Sequence, residues 1–354
     1  MPSGSTIRVG IIGCGVIGPL HAECYQLIPG VEVAWACDLV EAKARKLADK
    51  LAIPGVTTDY KEVLADPKLD AVSVCTDHAA HVPISVAALE AGKHVLCEKA
   101  LAADAAGLDA LMTAARRRPE LVFSGVFQHR FDPAVRTLKR LSDEGAFGQL
   151  LAAGVQVRCY RSREYYEADE WRGTWSHEGG GVLINQAIHS IDALAWIMGG
   201  AESICGAHAN LTHDGVMETE DTAVAAVRFR GGVLGTLEAT CSSHIGWETV
   251  LSLHGSQGSV EICSDHHLNK IQFADPALAP LVQAELAGGH DQLKVVSART
   301  HYGSSHPLQI ADFVEAIRLG RPPFVSGQQA RHAVDIVLAI YESHRRHGWV
   351  KVGG

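Results

Sequence analysis

The chain has 354 residues, long enough for two domains with separate cores. With 47% apolar and 20% charged residues it reads as globular, and its net charge of −9 argues against a nucleic-acid partner. No apolar run approaches the roughly 18 residues of a membrane span. The first residues also lack the basic-then-apolar pattern of a secretory signal, so a cytoplasmic protein without a membrane partner is expected.

Ile7 to Ile12 is an apolar run suited to a buried parallel strand, and it breaks into Gly13-x-Gly15-x-x-Gly18 before a helix predicted over 19–27. In such a turn the first glycine permits the sharp exit from the strand. The second lets a pyrophosphate approach the backbone, and the third lets helix and strand pack closely. An ordinary strand-to-helix turn would need no acid downstream. Here the next strand, Val31 to Cys37, ends at Asp38, where a carboxylate can accept both ribose hydroxyls of a dinucleotide. Asp38 would repel a ribose 2′-phosphate, and Leu39, Val40 and Glu41 follow it with no arginine, so NAD is expected over NADP.

Alternation continues with helices over 41–51 and 61–65, a strand over 70–76, a helix over 79–91 and a strand over 94–99. Asp104 caps a further helix to about Arg118, and 121–126 is one more strand. This predicts a doubly wound parallel sheet, with ligands at the carboxyl ends of its strands, where Asp38, Thr76 and Glu98-Lys99 fall. A boundary is placed after residue 125. Beyond it come a helix over 133–144, a strand over 149–160 and an irregular aromatic segment to Glu178. A helix over 182–198 precedes strands over 203–210, 222–229, 233–241, 248–254 and 259–263, with hairpin turns at Arg230-Gly231-Gly232 and Gly255 to Gly258. Helices over 307–319 and 328–347 close the chain. Residues 126–354 therefore read as an α+β domain with an open, mainly antiparallel sheet. Asp275 to Ser305 shows no clear period and is expected to be a loop that could cover substrate.

The nine cysteines form no C-x-x-C pair and read as reduced core residues. Nineteen histidines include His78-x-x-His81 and His266-His267, but neither has acids or cysteines at ligand spacing, so no metal site is expected. Two stretches carry more than packing. Glu98 and Lys99 end a buried strand, either as a rim ion pair or as working groups. Gly179-Gly180-Gly181 exposes backbone to close approach before a helix on which Asn185, His189 and Asp192 fall at i, i+4 and i+7. That polar stripe suggests a cleft wall, with a satisfied buried histidine as the alternative.

The glycine fingerprint, Ala91 to Lys99, Gly179 to Asp192 and His306 to Phe313 together resemble the glucose–fructose oxidoreductase / inositol dehydrogenase (Gfo/Idh/MocA) family over nearly the whole chain. The resemblance implies a Rossmann domain, and a second domain whose sheet pairs subunits into homodimers or homotetramers. It also implies NAD(P)-dependent oxidation at a carbinol carbon of a sugar, sugar derivative or polyol, giving a keto-sugar. Lys99 matches the lysine of the family's Glu-Lys-Pro motif and His189 its helix histidine. Ala100 stands where proline is usual, and a different local backbone is expected there because a non-proline cis bond costs about 3 kcal/mol. Asn185 stands where many members carry aspartate, which is similar to members that oxidise C3 of nucleotide-linked amino-sugar acids.

The resemblance implies Lys99, His189 and Asn185 as the catalytic group, with His189 the better candidate for general base and Lys99 holding the reacting hydroxyl, or the two roles exchanged. Cofactor contacts are expected from Gly13, Gly15, Val16, Ile17, Gly18, Asp38, Thr76, His81, Glu98, Lys99 and Arg172. Substrate contacts are expected from Tyr165, Trp171, Arg172, Asn185, His189 and His306. Two other functions fit the same features: a redox-neutral enzyme that oxidises a sugar carbon transiently while cleaving or rearranging it, and a non-catalytic dinucleotide sensor.

Overall fold

The computed structural model describes residues 6–263, 267–289 and 305–353. They fall into two compact units, the first comprising residues 6–127 and 305–331 and the second the described parts of 128–289 and 332–353. The sequence division placed everything after residue 125 in the second domain. The difference is the segment 305–331, which joins the first unit. His266 and the stretch 290–304 lie outside the described residues.

The first unit is a six-stranded parallel sheet in the order β3-β2-β1-β4-β5-β6. Its strands are β1 (Ile7–Ile12), β2 (Val31–Cys37), β3 (Gly55–Thr57), β4 (Ala71–Val74), β5 (His94–Cys97) and β6 (Phe123–Gly125). Between them run α1 (Gly18–Gln26), α2 (Glu41–Leu51), α3 (Tyr60–Ala65), α4 (His78–Glu90) and α5 (Ala105–Arg117). Val9, Ile11, Val72, Val74, Val95 and Leu96 are fully buried, as expected for strands covered on both faces. Carboxylates cap three helices: Asp59 accepts from the Lys61 amide, Asp77 from Ala80 and Asp104 from Gly107. The chain order reverses between β1 and β4, which opens a crevice at their carboxyl ends.

A late helix, α10 (His306–Leu319), packs against α1 and adds Ile310, Phe313 and Val314 to the core around β1. Gln309 fixes it there: its side-chain amide donates to the Gly125 carbonyl and its oxygen accepts from the Phe127 amide.

The second unit is an eight-stranded sheet in the order β13-β12-β11-β7-β10-β9-β8-β14. Its strands are β7 (Leu150–Arg158), β8 (Ala201–Ala209), β9 (Thr222–Phe229), β10 (Leu234–Thr240), β11 (Glu248–Gly255), β12 (Gly258–Cys263), β13 (His267–Phe273) and β14 (Val350–Lys351). All neighbours are antiparallel except β7 and β10. Along β9, Ala223, Ala225, Val227 and Phe229 point into the core while Val224 is 53% exposed, the alternation of a sheet with one open face. The helices are α6 (Pro133–Asp143), α7 (Arg163–Glu167), α8 (Ile188–Ile197), α9 (Leu278–Gly289) and α11 (Gly327–Arg346), whose first turn belongs with the first unit. Helix α9 replaces the first half of the expected loop and packs on α6 and β13. Its Glu285 accepts from Thr137 at 2.8 Å and from Arg140 at 2.6 Å. The nine cysteines are all unpaired thiols, seven of them buried.

Candidate active site

Each glycine of the first turn meets a different constraint. Gly13 has φ +97°, and a Cβ there would lie 2.4 Å from the Cys75 carbonyl oxygen. At Gly18 a Cβ would lie 2.0 Å from the Gly13 oxygen, so strand end and helix start touch through backbone alone. Gly15 is exposed, and a Cβ on it would meet nothing within 4 Å. The space over Gly15 is what a pyrophosphate needs. Behind it α1 begins without any side-chain cap, so its first amides and the positive end of its dipole face the turn, flanked by Val16 and Ile17.

Asp38 follows β2 directly. One carboxylate oxygen accepts from the Cys14 amide and the other from the Val40 amide, each at 2.8 Å. These bonds fix the carboxylate plane, and each oxygen keeps a second lone pair for a ribose hydroxyl. Glycines, uncapped helix and anchored acid together fit a dinucleotide.

Two of the expected cofactor contacts fold inward. His81 is fully buried, with Nδ1 2.6 Å from the Ala100 oxygen and Nε2 3.2 Å from the Thr76 oxygen. Burial lowers its pKa from 6.5, and a neutral ring has a single N–H, which the shorter contact takes. His81 therefore anchors α4 to the Ala100 carbonyl just beyond β5, with its second ring nitrogen turned toward half-buried Thr76. Glu98 is also buried, 5% exposed, and is not a rim ion pair. The Tyr25 hydroxyl is hydrogen-bonded to Ser73, Ser73 to His21 Nδ1, and His21 Nε2 to Glu98 at 2.9 Å. The other Glu98 oxygen accepts from the Lys99 amide.

His306, expected to line a substrate pocket, instead lies buried 3.8 Å from Glu98 and edge-to-face with His21. His21, Glu98 and His306 each offer a ligand atom within 4.8 Å of the others, near enough to grip a cation, while the Tyr25–Ser73 chain accounts for His21 and Glu98 alone. Lys99 itself is half-buried at the end of β5. The Lys99–Ala100 peptide is cis, so the different backbone expected from Ala100 is not found.

In the second unit the glycine triplet admits the protein's own groups. A Cβ on Gly180 would lie 2.0 Å from the Tyr341 hydroxyl, and one on Gly181 2.0 Å from the Glu220 carbonyl oxygen. The Glu220 carboxylate accepts from the Gly181 and Leu183 amides and from Tyr341, capping the next segment from another part of the chain. That segment opens as a π-helical turn, Leu183–Ala187, before α8. Burial pushes the Glu220 carboxyl up to about 7.

Asn185 sits on the π-turn and donates from its amide nitrogen to Glu178, a fully buried carboxylate that also accepts from the Gly173 amide at 2.5 Å. His189 is half-buried and packs edge-to-face on His129, 5.4 Å away. Asp192 leaves the expected stripe: it is buried in a two-pronged ion pair with Arg130, at 2.6 and 2.7 Å.

In the aromatic segment the structure gathers three expected residues. The Arg172 guanidinium lies 4.2 Å over the Tyr165 ring and 5.4 Å over Trp171, and it pairs with Asp169 at 3.0 Å. Because Gly173 and Asn185 share the Glu178 carboxylate, this loop and the π-turn are tied together. Sequence reasoning missed Glu178 and Glu220. An acid directly before a glycine triplet, and the Glu220-Asp221 pair at the start of a buried strand, were the available signals.

Comparison with known proteins covers both units. Residues 7–126 match the model for the NAD-binding Rossmann fold of the GFO/IDH/MocA oxidoreductase family, and residues 139–352 match that for its C-terminal alpha/beta domain. The chain is 26% identical over 352 residues to myo-inositol 2-dehydrogenase of Thermotoga maritima, covering 98% of each chain. It is 26% identical over 391 residues to levoglucosan dehydrogenase of Pseudarthrobacter phenanthrenivorans, again covering 98% of each. Among solved structures, the WlbA dehydrogenase of Bordetella pertussis in complex with NADH and UDP-GlcNAcA superposes with a TM-score of 0.90 at 25% identity, covering 99% of both chains.

Proposed function

The chain belongs to the Gfo/Idh/MocA oxidoreductase family, and from that premise we propose that it is an NAD-dependent dehydrogenase of a sugar, sugar derivative or polyol that yields a keto-sugar. The open approach over Gly15 beside the anchored Asp38 carboxylate carries this reading. A negative charge at the ribose site disfavours a 2′-phosphate, so NAD is preferred over NADP. The Gly13–Gly18 turn and Asp38 would hold NAD, which would supply the hydride acceptor, and the protein's own work is to orient the carbinol and move its proton.

Lys99 hydrogen-bonds the reacting hydroxyl and stabilises negative charge developing on its oxygen. His189, of a residue type with an unperturbed pKa near 6.5, takes the proton. With its amide nitrogen committed to Glu178, Asn185 turns its oxygen the other way, suited to accept from a neighbouring hydroxyl. Subunits pair through the open face of the eight-stranded sheet, where Val224 and Leu234 are exposed, and a monomer by light scattering would contradict this.

The test is nicotinamide absorbance on mixing the protein and NAD with inositols, hexoses, anhydro-sugars, glycosides and nucleotide-sugars. A rise that is lost in Lys99→Ala supports a dehydrogenase. An altered glycoside with no net reduction of NAD would overturn it in favour of a redox-neutral reaction.

A further inference from the structure

Tyr165 has two guanidiniums about it. Besides Arg172 at 4.2 Å, Arg161 lies 5.1 Å from the same ring centroid and 5.1 Å from that of Trp247, which is 46% exposed. The two cations differ in their counter-charges. Arg172 is balanced by Asp169, whose side chain is 41% exposed, so that pair is weak and open to competition. Arg161 is in no ion pair among the described residues, and its Nη1 donates to a backbone carbonyl, that of Tyr160. The Nε atoms of both arginines are buried without a hydrogen-bond partner among the described residues.

Two planar forks, each with a buried donor unspent, make an expensive arrangement in a protein with no use for it. Arg172 adjoins Gly173, whose amide shares the Glu178 carboxylate with Asn185, so the arginine pair is linked to the proposed substrate site.

We propose that Arg161 and Arg172, arranged around Tyr165, form a subsite for an anionic group on the substrate, so that the enzyme selects acidic sugar derivatives over neutral sugars and polyols. This rests on the dehydrogenase reading above and narrows its substrate class. A ring carboxylate and a linking diphosphate present the same chemistry, a pair of oxygens matched to a guanidinium fork. The exposed Trp247 face beside Arg161 suits the planar base that a nucleotide-linked sugar would bring.

The experiment is calorimetric titration of the NADH-loaded protein with four probes: glucose, glucuronate, UDP-N-acetylglucosamine and UDP-N-acetylglucosaminuronate. An anionic probe should bind about 10- to 100-fold more tightly than glucose, as expected for charge-assisted hydrogen bonds, and Arg161→Gln should close that gap. Arg161→Lys, which keeps charge without the fork, should close it in part and serves if the glutamine variant does not fold. A gain with glucuronate identifies the carboxylate as the recognised group, and a gain confined to the two UDP compounds identifies the diphosphate. Equal affinity for neutral and anionic probes, equal losses for all probes in Arg161→Gln, or binding of none would overturn the subsite. Turnover separates the two claims. Arg161-dependent binding with no NAD reduction by any probe leaves the subsite standing and removes the dehydrogenase. Oxidation of neutral polyols without selective anion binding does the reverse.

Discussion

Gly15→Ala separates stability from cofactor binding. The added methyl meets no atom within 4 Å, and Gly15 is not among the residues with positive φ, so the folded chain accepts alanine without strain. Alanine also restricts the unfolded chain, which by itself is worth about 0.4–1 kcal/mol in favour of folding. The melting temperature should therefore hold or rise slightly. The methyl occupies the approach to the backbone that a pyrophosphate needs. Losing one charge-assisted hydrogen bond, about 1.5–3 kcal/mol, weakens NADH binding about 10- to 100-fold. Gly13→Ala is the control. Its left-handed φ and a 2.4 Å approach to the Cys75 oxygen should cost about 2–4 kcal/mol of stability. Thermal denaturation with and without NADH, together with fluorescence titration of the cofactor, measures both effects. A Gly15→Ala protein that binds NADH as wild type does would refute the placement of the pyrophosphate. One that melts several degrees lower would refute the open space.

Lys99→Ala and His189→Ala should each lower turnover by a factor on the order of 10² to 10⁴ with NADH affinity retained, and near-normal rates in both would remove the acid–base assignment. Asp38→Ser should narrow the preference for NAD over NADP by about tenfold or more, read from the two dissociation constants. Glu220 makes stability pH-dependent. Its folded pKa, raised by burial to about 7, exceeds the unfolded value near 4.3, so the folded state holds the proton more tightly. Its contribution is complete below the unfolded value and is lost as pH rises through 7, by about 4 kcal/mol. Denaturant midpoints from pH 4.5 to 8 should decline in wild type and flatten in Glu220→Gln; parallel curves would contradict the buried, raised carboxyl.

The first sheet and its cofactor cradle were legible because they are written locally. The Gly13-x-Gly15-x-x-Gly18 turn, the acid ending β2 and the strand–helix alternation each occupy one short window. Elements with weak local signatures were not. Edge strand β13 is largely exposed on both faces, β3 is three residues long, and α9 shows little amphipathic period. Membership of α10 in the first unit depends on Gln309 reaching Gly125 and Phe127, far back in the chain. In the site, the pattern marked which polar residues are unusual but not which neighbours satisfy them. His81, Glu98, His306 and Asp192 were read as facing ligand or cleft, and each is turned inward to a partner remote in sequence. Glu178 and Glu220 hold the Asn185 segment through contacts that no periodicity encodes.

Strand β7 lies in the interior of its sheet, yet it is the first strand of that sheet to be made. Neither hydrogen-bonded neighbour exists when it emerges from the ribosome, since β10 begins at Leu234 and β11 at Glu248. Both of its edges, and the apolar face carrying Val155 and Val157, therefore stay unpaired while about 75 further residues are synthesised, and one edge for about 90. The first unit waits as well, because Gln309 and the Ser124–Ser326 bridge arrive only as the chain ends. Neither half can be finished and set aside before the other, so a nascent chain truncated near residue 230 should engage holding chaperones where the full-length one does not.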